Sequence, residues 1–352
     1  MTQARKVVVV ADEVGVYHCV SRCVRRAFLC GEDAYSGRNY AHRRAWVRER
    51  VQHLSTLFGI EVFAYSVMSN HLHLVLRSRP DRVAQWGDRE VAERWCRLFP
   101  GKAALERGEL YDANKLKALL KDAAMLEVVR QRLSDLSWFM RCLNEFLARR
   151  ANREDGCTGR FWEGRFRCQR LIDTGAMLAC MAYVDLNPVR AQIAEGLADS
   201  EFTSVYDRVV AQRARVRLEA LGRISDPTLE QQRQVKREAS RQSEADWLLD
   251  FSDASSPFAD VDVAYYLSLV EWTGRAMRAD KPGSIPVELE GVLDRFGIDA
   301  RQWAGNVRSY GSLFYRIAGK VEQLLGYAQR RGQAWFCGQT GSERLYAACK
   351  QT

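Results

Sequence analysis

A run of alternating side chains, His71-Leu72-His73-Leu74-Val75-Leu76, constrains the fold more than any other stretch of the chain. In a β-strand, residues two positions apart point to the same face. The pattern therefore sends the three leucines into a core and leaves the two histidines on the opposite face. Residues 61–67 are also rich in strand-forming side chains, and only the short polar connection 68–70 separates the two runs. Together they predict a β-hairpin.

Other apolar patterns surround this hairpin in a recognisable order. They predict strands at 14–22 and 167–171 and helices over 40–58, 133–151 and 174–187. The last helix is expected to end at Asn187, because a residue that precedes proline is disfavoured in the helical region. The first six elements match a split βαβ, ferredoxin-like arrangement. We therefore predict an α+β fold for this part of the chain.

Composition divides the chain into three predicted regions. Residues 12–205 contain the α+β pattern, and within them a charged, helix-prone segment at about 80–128 resembles an insertion. Residues 207–250 are dense in Arg, Gln and Glu and predict a charged helical linker. Residues 255–340 predict a helical accessory domain that adds no catalytic group. Its helix pair around 292–302 could be a helix-turn-helix, although generic helix pairs have the same pattern.

Charge and cysteine usage narrow the class of protein. The chain has 53 Lys and Arg against 44 Asp and Glu, a net charge of +9, which favours a polyanionic partner. No stretch reaches the roughly 18 apolar residues of a membrane span, and no export segment is evident, so we expect a cytoplasmic protein. Cys19, Cys23 and Cys30 cluster without a Cys-x-x-Cys pair, which favours buried thiols over a zinc site.

Two spacings offer candidate chemistry. His71 and His73 would lie side by side on one strand face, where a single divalent cation could bind both. Tyr183 and Asn187 are four residues apart, which puts a phenol and an amide on one face of a helix. Each spacing alone has an ordinary explanation, since exposed histidines on a strand and a core tyrosine on an apolar helix are both common.

Taken together, these stretches resemble a known family. Asn70-His71-Leu72-His73-Leu74-Val75-Leu76 resembles the His-hydrophobic-His strand of the HUH endonucleases. Tyr183-Val184-Asp185-Leu186-Asn187-Pro188-Val189-Arg190-Ala191 resembles the tyrosine helix of their single-tyrosine transposases, and the best match is the REP-associated tyrosine transposase branch. Residues 16–22 and 159–166 resemble two further family segments in the right order. The resemblance covers residues 12–205, and it departs from the family in the insertion, at Asp185 and in the long C-terminal part.

The resemblance implies a transposase-like enzyme. Such an enzyme binds single-stranded DNA, cleaves it and rejoins it through a 5′-phosphotyrosine intermediate. Carried over to this chain, it implies His71 and His73 as metal ligands, Tyr183 as the nucleophile and Asn187 as the third ligand. Imidazole, amide and phosphate ligands suit Mg²⁺ or Mn²⁺, and ligand type alone leaves zinc open.

The implied partner is single-stranded or hairpin DNA, with no membrane partner and with either a monomer or a homodimer as the assembly. A cationic track with stacking platforms would suit unstacked bases. The DNA-binding candidates are Arg22, Arg149, Arg150, Arg160, Trp162, Arg165 and Arg167. Two other functions stay open: a catalytically silent nucleic-acid-binding relic, and a metal-dependent RNA nuclease on the same scaffold, which would not need Tyr183.

Overall fold

The protein is described here from a computed structural model. It describes residues 8–10, 12–24, 29–32, 37–224, 227–259, 261–278, 285–333 and 338–346. The architecture is mixed α/β, with one five-stranded sheet and many helices. Among these residues, no helix combines the length and the apolar character that crossing a membrane requires.

Five strands form the sheet, in the order β2-β3-β1-β4-β5. Their bounds are β1 Gly15–Arg22, β2 Ile60–Val67, β3 His71–Ser78, β4 Arg167–Leu171 and β5 Ile317–Ala318. The four strands expected from the sequence all form, with bounds close to the predicted ones. Strand β5 was not predicted. It pairs in parallel with β4, with Arg170 opposite Ile317 and Leu171 opposite Ala318.

The chain divides into two compact units, and each is described by itself below. The first unit comprises residues 1–62, 69–71 and 76–167. The second comprises residues 63–68, 72–75 and 168–352, so strands β2 and β3 contribute residues to both. The division at residue 167 does not coincide with the region boundaries near 206 and 255 that composition indicated.

Two long helices, α1 (Arg43–Leu57) and α7 (Leu136–Glu154), build the core of the first unit. Helix α7 begins where the Asp135 side chain accepts a hydrogen bond from the Trp138 amide at 2.9 Å, an ordinary N-cap. The Phe58 and Phe139 rings meet edge to face at 5.5 Å. Both helices lie close to where their apolar periodicity predicts them, because that periodicity identifies the buried stripe.

The segment expected to be a helical insertion folds into short helices with an apolar cluster of their own. The cluster includes Val91, Cys96, Leu126 and Val129 and is partly covered by Trp95. Because these side chains bury one another, the segment has its own packing centre. The helices are α2 Pro80–Val83, α3 Asp88–Leu98, α4 Lys102–Glu106, α5 Ala113–Lys121 and α6 Ala123–Ser134.

The second unit packs its helices around an aromatic core. Phe251 lies 5.2 Å, between ring centres, from both Phe258 and Tyr266, and Phe63 of β2 lies 5.9 Å from Phe258. The Trp303 indole donates to the Thr273 hydroxyl at 2.8 Å. The helices are α8 Thr174–Asp185, α9 Asn187–Arg190, α10 Ser204–Leu221, α11 Leu229–Gln242, α12 Val263–Arg278, α13 Val287–Arg295, α14 Trp303–Leu313, α15 Val321–Arg330 and α16 Gln339–Leu345.

Two features of the second unit differ from the sequence expectations. The region predicted as a linker does form helices, but Asp207 and Arg208 at the start of α10 are buried. The C-terminal region is not purely helical, because β5 joins the sheet. In the candidate helix-turn-helix, Trp303, Val307 and Tyr310 of the second helix are buried. Packing within the unit therefore buries much of the surface of that helix.

Candidate active site

Strand β3 holds both histidines at its beginning. Leu72 and Leu74 are fully buried, as the alternation predicts. The opposite face is covered as well, because His73 is only 4% exposed and Val75 is fully buried. At His73 the cover is Tyr183, whose ring meets the imidazole edge to face with 5.7 Å between ring centres.

His71 lies one strand repeat before His73 and is half-buried. A nitrogen of its ring, Nδ1, is 2.6 Å from the side-chain oxygen of Asn70. If that nitrogen carries the proton, the other ring nitrogen is a neutral lone-pair donor, which is the form that ligates metals. Asn70, the residue before the strand, thus favours the tautomer of His71 that is protonated on Nδ1.

Helix α8 positions Tyr183. The Asp173 side chain caps it by accepting from the Ala176 amide at 2.8 Å. Its residues are mostly Ala, Leu, Met and Cys, and they are buried on almost every side, as expected of a helix that is apolar all round. Tyr183 is 9% exposed near the end of this helix.

The helix ends two residues earlier than predicted. Helix α8 stops at Asp185, and Asn187 begins the separate one-turn helix α9, with Pro188 in its first turn. Proline is well tolerated there, because the first amides of a helix have no intrahelical partner. Tyr183 and Asn187 therefore belong to two consecutive helices, not to one face of a single helix as predicted.

Arg190, the last residue of α9, contacts both Tyr183 and Asn187. Its guanidinium carbon lies 4.3 Å from the centre of the Tyr183 ring. The same guanidinium donates through Nη1 to the Asn187 side-chain oxygen at 3.0 Å. Arg190 is half-buried, and within the described residues no carboxylate pairs with it. The structure thus brings Tyr183, His73, Asn187 and Arg190 together within the second unit.

Helix α14 lies on another side of Tyr183. The Tyr310 ring is 5.4 Å from the Tyr183 ring, and its hydroxyl is 3.1 Å from the Gln169 side-chain oxygen. Burial raises the pKa of Tyr310 well above its ordinary value, and the neighbouring Cys180 thiol raises it further. Tyr310 therefore keeps its proton.

Asp185 anchors the other side of α8. This fully buried carboxylate accepts hydrogen bonds from the Val205 amide at 3.0 Å, from the Tyr266 hydroxyl at 2.5 Å and from the Ser204 hydroxyl. Burial raises the pKa of Asp185, and the positive charge of buried Arg208 opposes that rise. The network ties the tyrosine helix to α10 and α12, and so it fixes where Tyr183 lies.

The side chains fit a metal site by donor type. Within the second unit, His73 offers an imidazole nitrogen and Asn187 an amide oxygen, and Mg²⁺ or Mn²⁺ accepts both donor types. Asn187 is 5% exposed, and its buried Nδ2 has no hydrogen-bond partner. Such an orphaned donor indicates a polar group that the protein alone does not supply.

No cluster of three His, Cys, Asp or Glu side chains suited to a metal occurs in the part of the chain that the structure describes. Cys19, Cys23 and Cys30 are buried thiols, as predicted. Burial raises the pKa of Cys23 to about 12, so this sulfur stays protonated and is a poor metal ligand.

The candidate DNA-binding side chains lie in the first unit and fall into two groups. Arg149 forms an ion pair with Glu145 at 2.5 Å, and Arg150 lies over the Trp46 ring at 4.0 Å. The Trp162 indole donates to the Asn144 carbonyl at 2.8 Å, so this ring is half-buried and already engaged. These three side chains have structural contacts.

The remaining candidates are exposed, as Arg149 is. Arg22, Arg160, Arg165 and Arg167 are exposed, and the Glu163 amide donates to the Arg22 carbonyl at 2.9 Å. That bond brings the end of β1 beside the loop of residues 160–165. Arg160 bonds the Trp162 carbonyl through Nε at 2.9 Å, which leaves its outer nitrogens at the surface. This patch is the stronger candidate for phosphate contacts.

Sequence reasoning missed Arg190 and Gly311. The signal for Arg190 was present, because Arg190 follows Asn187 by three residues and helical spacing puts such pairs in contact. Gly311 is exposed, and a Cβ built on it would lie 2.9 Å from the Tyr183 hydroxyl. No local pattern announces that contact, since the two residues lie far apart in the sequence.

Comparisons with known proteins add little to this geometry. No protein-family model matches the chain, and no curated protein matches it. Among solved structures, the chain is similar to one described as the structure of the REP-associated tyrosine transposase bound to a REP hairpin. The TM-score is 0.35 at 13% sequence identity, over 59% of this chain and 86% of that one. A likeness this weak carries no argument about function.

Proposed function

We propose that this chain is a transposase-like HUH endonuclease that cleaves and rejoins single-stranded DNA through a 5′-phosphotyrosine at Tyr183. The partner is single-stranded or hairpin DNA, bound by a monomer or a homodimer. Supporting the fold assignment, the first four strands lie in the order expected of a split βαβ domain.

One observation carries the proposal. A buried tyrosine from α8 lies against an imidazole of β3, and an amide and a guanidinium from α9 converge on the same place. A tyrosine that served only the core would not need a cation on its ring and an unsatisfied amide beside it. A nucleophile that attacks a phosphate needs such neighbours.

In the proposed step, the Tyr183 hydroxyl oxygen attacks the phosphorus of a DNA phosphodiester. The new bond joins tyrosine to the 5′-phosphate, the bond to the 3′ oxygen breaks, the 3′ hydroxyl leaves with a proton, and the tyrosine proton passes to solvent. The phosphotyrosine keeps the bond energy for later attack by another 3′ hydroxyl, the advantage of covalent catalysis. Rejoining then needs no nucleotide cofactor.

His71 and His73 would hold a divalent cation, Mg²⁺ or Mn²⁺, with Asn187 as the third ligand. When bound, that ion would neutralise charge on the phosphate. The half-buried position of His71 leaves the start of β3 within reach of solvent ions. The exposed patch of Arg22, Arg160, Arg165 and Arg167 would bind the backbone of the DNA, because guanidinium groups match phosphate geometry.

Two other functions predict different outcomes for the same variant. A nucleic-acid-binding relic would keep its affinity when Tyr183 is changed to Phe, and it would show no cleavage in either form. An RNA nuclease on this scaffold would cleave without any covalent adduct. The converging side chains around Tyr183 favour the strand transferase over both.

The test is incubation of the full chain with a library of single-stranded hairpin oligonucleotides and Mn²⁺. Denaturing gels would show a protein–DNA adduct, and mass spectrometry of the digested adduct would identify the modified residue. We expect the adduct on Tyr183 alone. An adduct on another tyrosine would overturn the assignment of the nucleophile, and cleavage with no adduct would overturn the reaction class.

A further inference from the structure

We propose that Arg190 and the Asn187 amide together form an oxyanion site that holds a non-bridging oxygen of the scissile phosphate beside Tyr183. This inference rests on the proposed function and assigns a role to Arg190, which makes it a catalytic residue in that reaction. The ligand class is a phosphodiester or a simple tetrahedral oxyanion.

The first observation is a cation without a counter-ion. Arg190 is half-buried, yet its side chain makes one hydrogen bond, to Asn187, within the residues that the structure describes. Two other arginines of the second unit have carboxylates nearby: Arg208 lies near Asp185, and Arg241 pairs with Glu238 at 2.9 Å. A partly buried charge is costly unless it is paired, so an anionic partner is the missing element.

The second observation is independent of the first. Asn187 is only 5% exposed, and its buried Nδ2 has no hydrogen-bond partner. Arg190 donates to the amide oxygen, and that bond settles which end of the amide is the nitrogen. Asn187 therefore presents an unsatisfied N–H donor in the same place as the unpaired guanidinium.

The third observation is the position of Tyr183. The guanidinium lies 4.3 Å from the centre of its ring, within cation–π distance. An oxyanion bound by Arg190 and Asn187 would therefore be next to the phenol. Negative charge increases on the phosphate oxygens as tyrosine attacks, and donors already in place stabilise it without reorganising.

The planar guanidinium group, with its several N–H donors, explains why arginine occupies this position. One guanidinium nitrogen is held by Asn187, and the planar group has further N–H donors for oxygen ligands. Lysine would keep the charge but would lose the ability to hold Asn187 and an oxyanion together. Comparing Arg190→Lys with Arg190→Gln therefore separates the effect of the positive charge from the effect of the guanidinium geometry.

The experiment compares Arg190→Gln and Arg190→Lys with wild type and with Arg233→Gln, a matched charge loss at an exposed arginine on α11. In single-turnover adduct formation with Mn²⁺, we expect Arg190→Gln to slow the reaction by about 100-fold, the usual loss of an oxyanion donor. The rate of Arg190→Lys should lie between those of wild type and Arg190→Gln, and the rate of Arg233→Gln should match that of wild type. Equal rates for all four proteins would overturn the inference and leave the proposed function standing.

A second readout distinguishes oxyanion binding from mere support of Asn187. If Arg190 contacts phosphate, the Mn²⁺ concentration at half-maximal rate stays unchanged in Arg190→Gln, and added guanidinium partly restores Arg190→Ala. If Arg190 only orients a metal ligand, high Mn²⁺ restores the rate of Arg190→Gln, and the inference is overturned.

A third readout needs no DNA. Titration calorimetry with inorganic tungstate should detect binding to wild type and to Arg233→Gln, and none to Arg190→Gln. If wild type forms no adduct with any hairpin but this pattern holds, the proposed function fails while the oxyanion site survives. If Arg190→Gln binds tungstate as wild type does, the oxyanion site fails.

Discussion

The Tyr183 hydroxyl lies against the backbone of Gly311, so closely that a methyl group on that glycine would come within 2.9 Å of the oxygen. Gly311 itself is exposed on α14. A side chain at this position would cover or displace the hydroxyl. The absence of one leaves the tip of the phenol beside a surface position, although the ring is mostly buried.

Changing Gly311 to Ala should therefore move the hydroxyl. Replacing glycine with alanine in a helix normally adds about 1 kcal/mol of stability. Here the contact should cancel part of that gain and lower adduct formation by about tenfold, because small misplacements of a reacting group are costly. Gly305 on the same helix is the control, since a Cβ there meets nothing within 4 Å. Thermal unfolding and adduct yield of the two variants should differ. Identical results would show that the contact is irrelevant.

The nucleophile is tested by Tyr183→Phe beside Tyr310→Phe. Removing one hydroxyl from either ring should cost about 1 kcal/mol of stability or less, the value of one hydrogen bond. Only Tyr183→Phe should abolish the adduct, because phenylalanine has no group that can attack phosphorus. Tyr310→Phe removes the contact with Gln169 and should keep the adduct. Adduct formation by Tyr183→Phe would show that another residue is modified.

The two histidines should separate metal binding from packing. His71 is half-buried, so His71→Ala should abolish Mn²⁺-dependent cleavage with little loss of stability. His73 is 4% exposed and packs on Tyr183, so His73→Ala should lose cleavage and also unfold at a lower temperature. Adding a chelator to wild type should stop cleavage without changing its unfolding. Cleavage at the normal rate in chelator would remove the metal from the proposal.

Asp185 should be a determinant of stability. Replacing it with Ala removes the acceptor of three hydrogen bonds and one of the negative charges that offset buried Arg208. A buried donor that is left without its acceptor typically costs about 1–3 kcal/mol. Chemical denaturation of Asp185→Ala should show a loss of that size. A loss below 1 kcal/mol, roughly that of one surface hydrogen bond, would mean that the network contributes little.

Asp185 also predicts a pH dependence. Because burial raises its pKa in the folded protein, the folded state binds the proton more tightly than the unfolded chain does. The contribution to stability is then complete below the ordinary pKa of aspartate. It is lost as the pH rises toward the raised value. Asp185→Asn does not titrate, so the difference in unfolding free energy between wild type and this variant should change across that interval.

Much of the fold is readable from local patterns. The alternation around Leu72 and Leu74 predicts β3, and the apolar stripes predict α1 and α7, because each element buries a face defined by its own sequence. Strand β5 is different, since Ile317 and Ala318 are too few to show alternation and their partner is remote. Its position depends on tertiary packing alone.

The candidate site likewise has features that the sequence predicts and features that it does not. His71, His73, Tyr183 and Asn187 are visible as spacings along the chain. Whether the histidine face is covered is not visible, because the cover at His73 comes from a helix about a hundred residues later. The Tyr183–Gly311 contact is also invisible, since nothing near either residue refers to the other.

The parallel pairing of β4 with β5 has a consequence for biosynthesis. Arg170 and Ile317 are neighbours in the sheet although they are about 150 residues apart in the chain, and such remote closure is slow. While the ribosome is still making the segment between them, the outer edge of β4 has no partner from its own chain. An unpaired strand edge is a template for other strands. Translation of the segment that contains Ile317 and Ala318 is therefore the step that protects the nascent protein from aggregating through this edge.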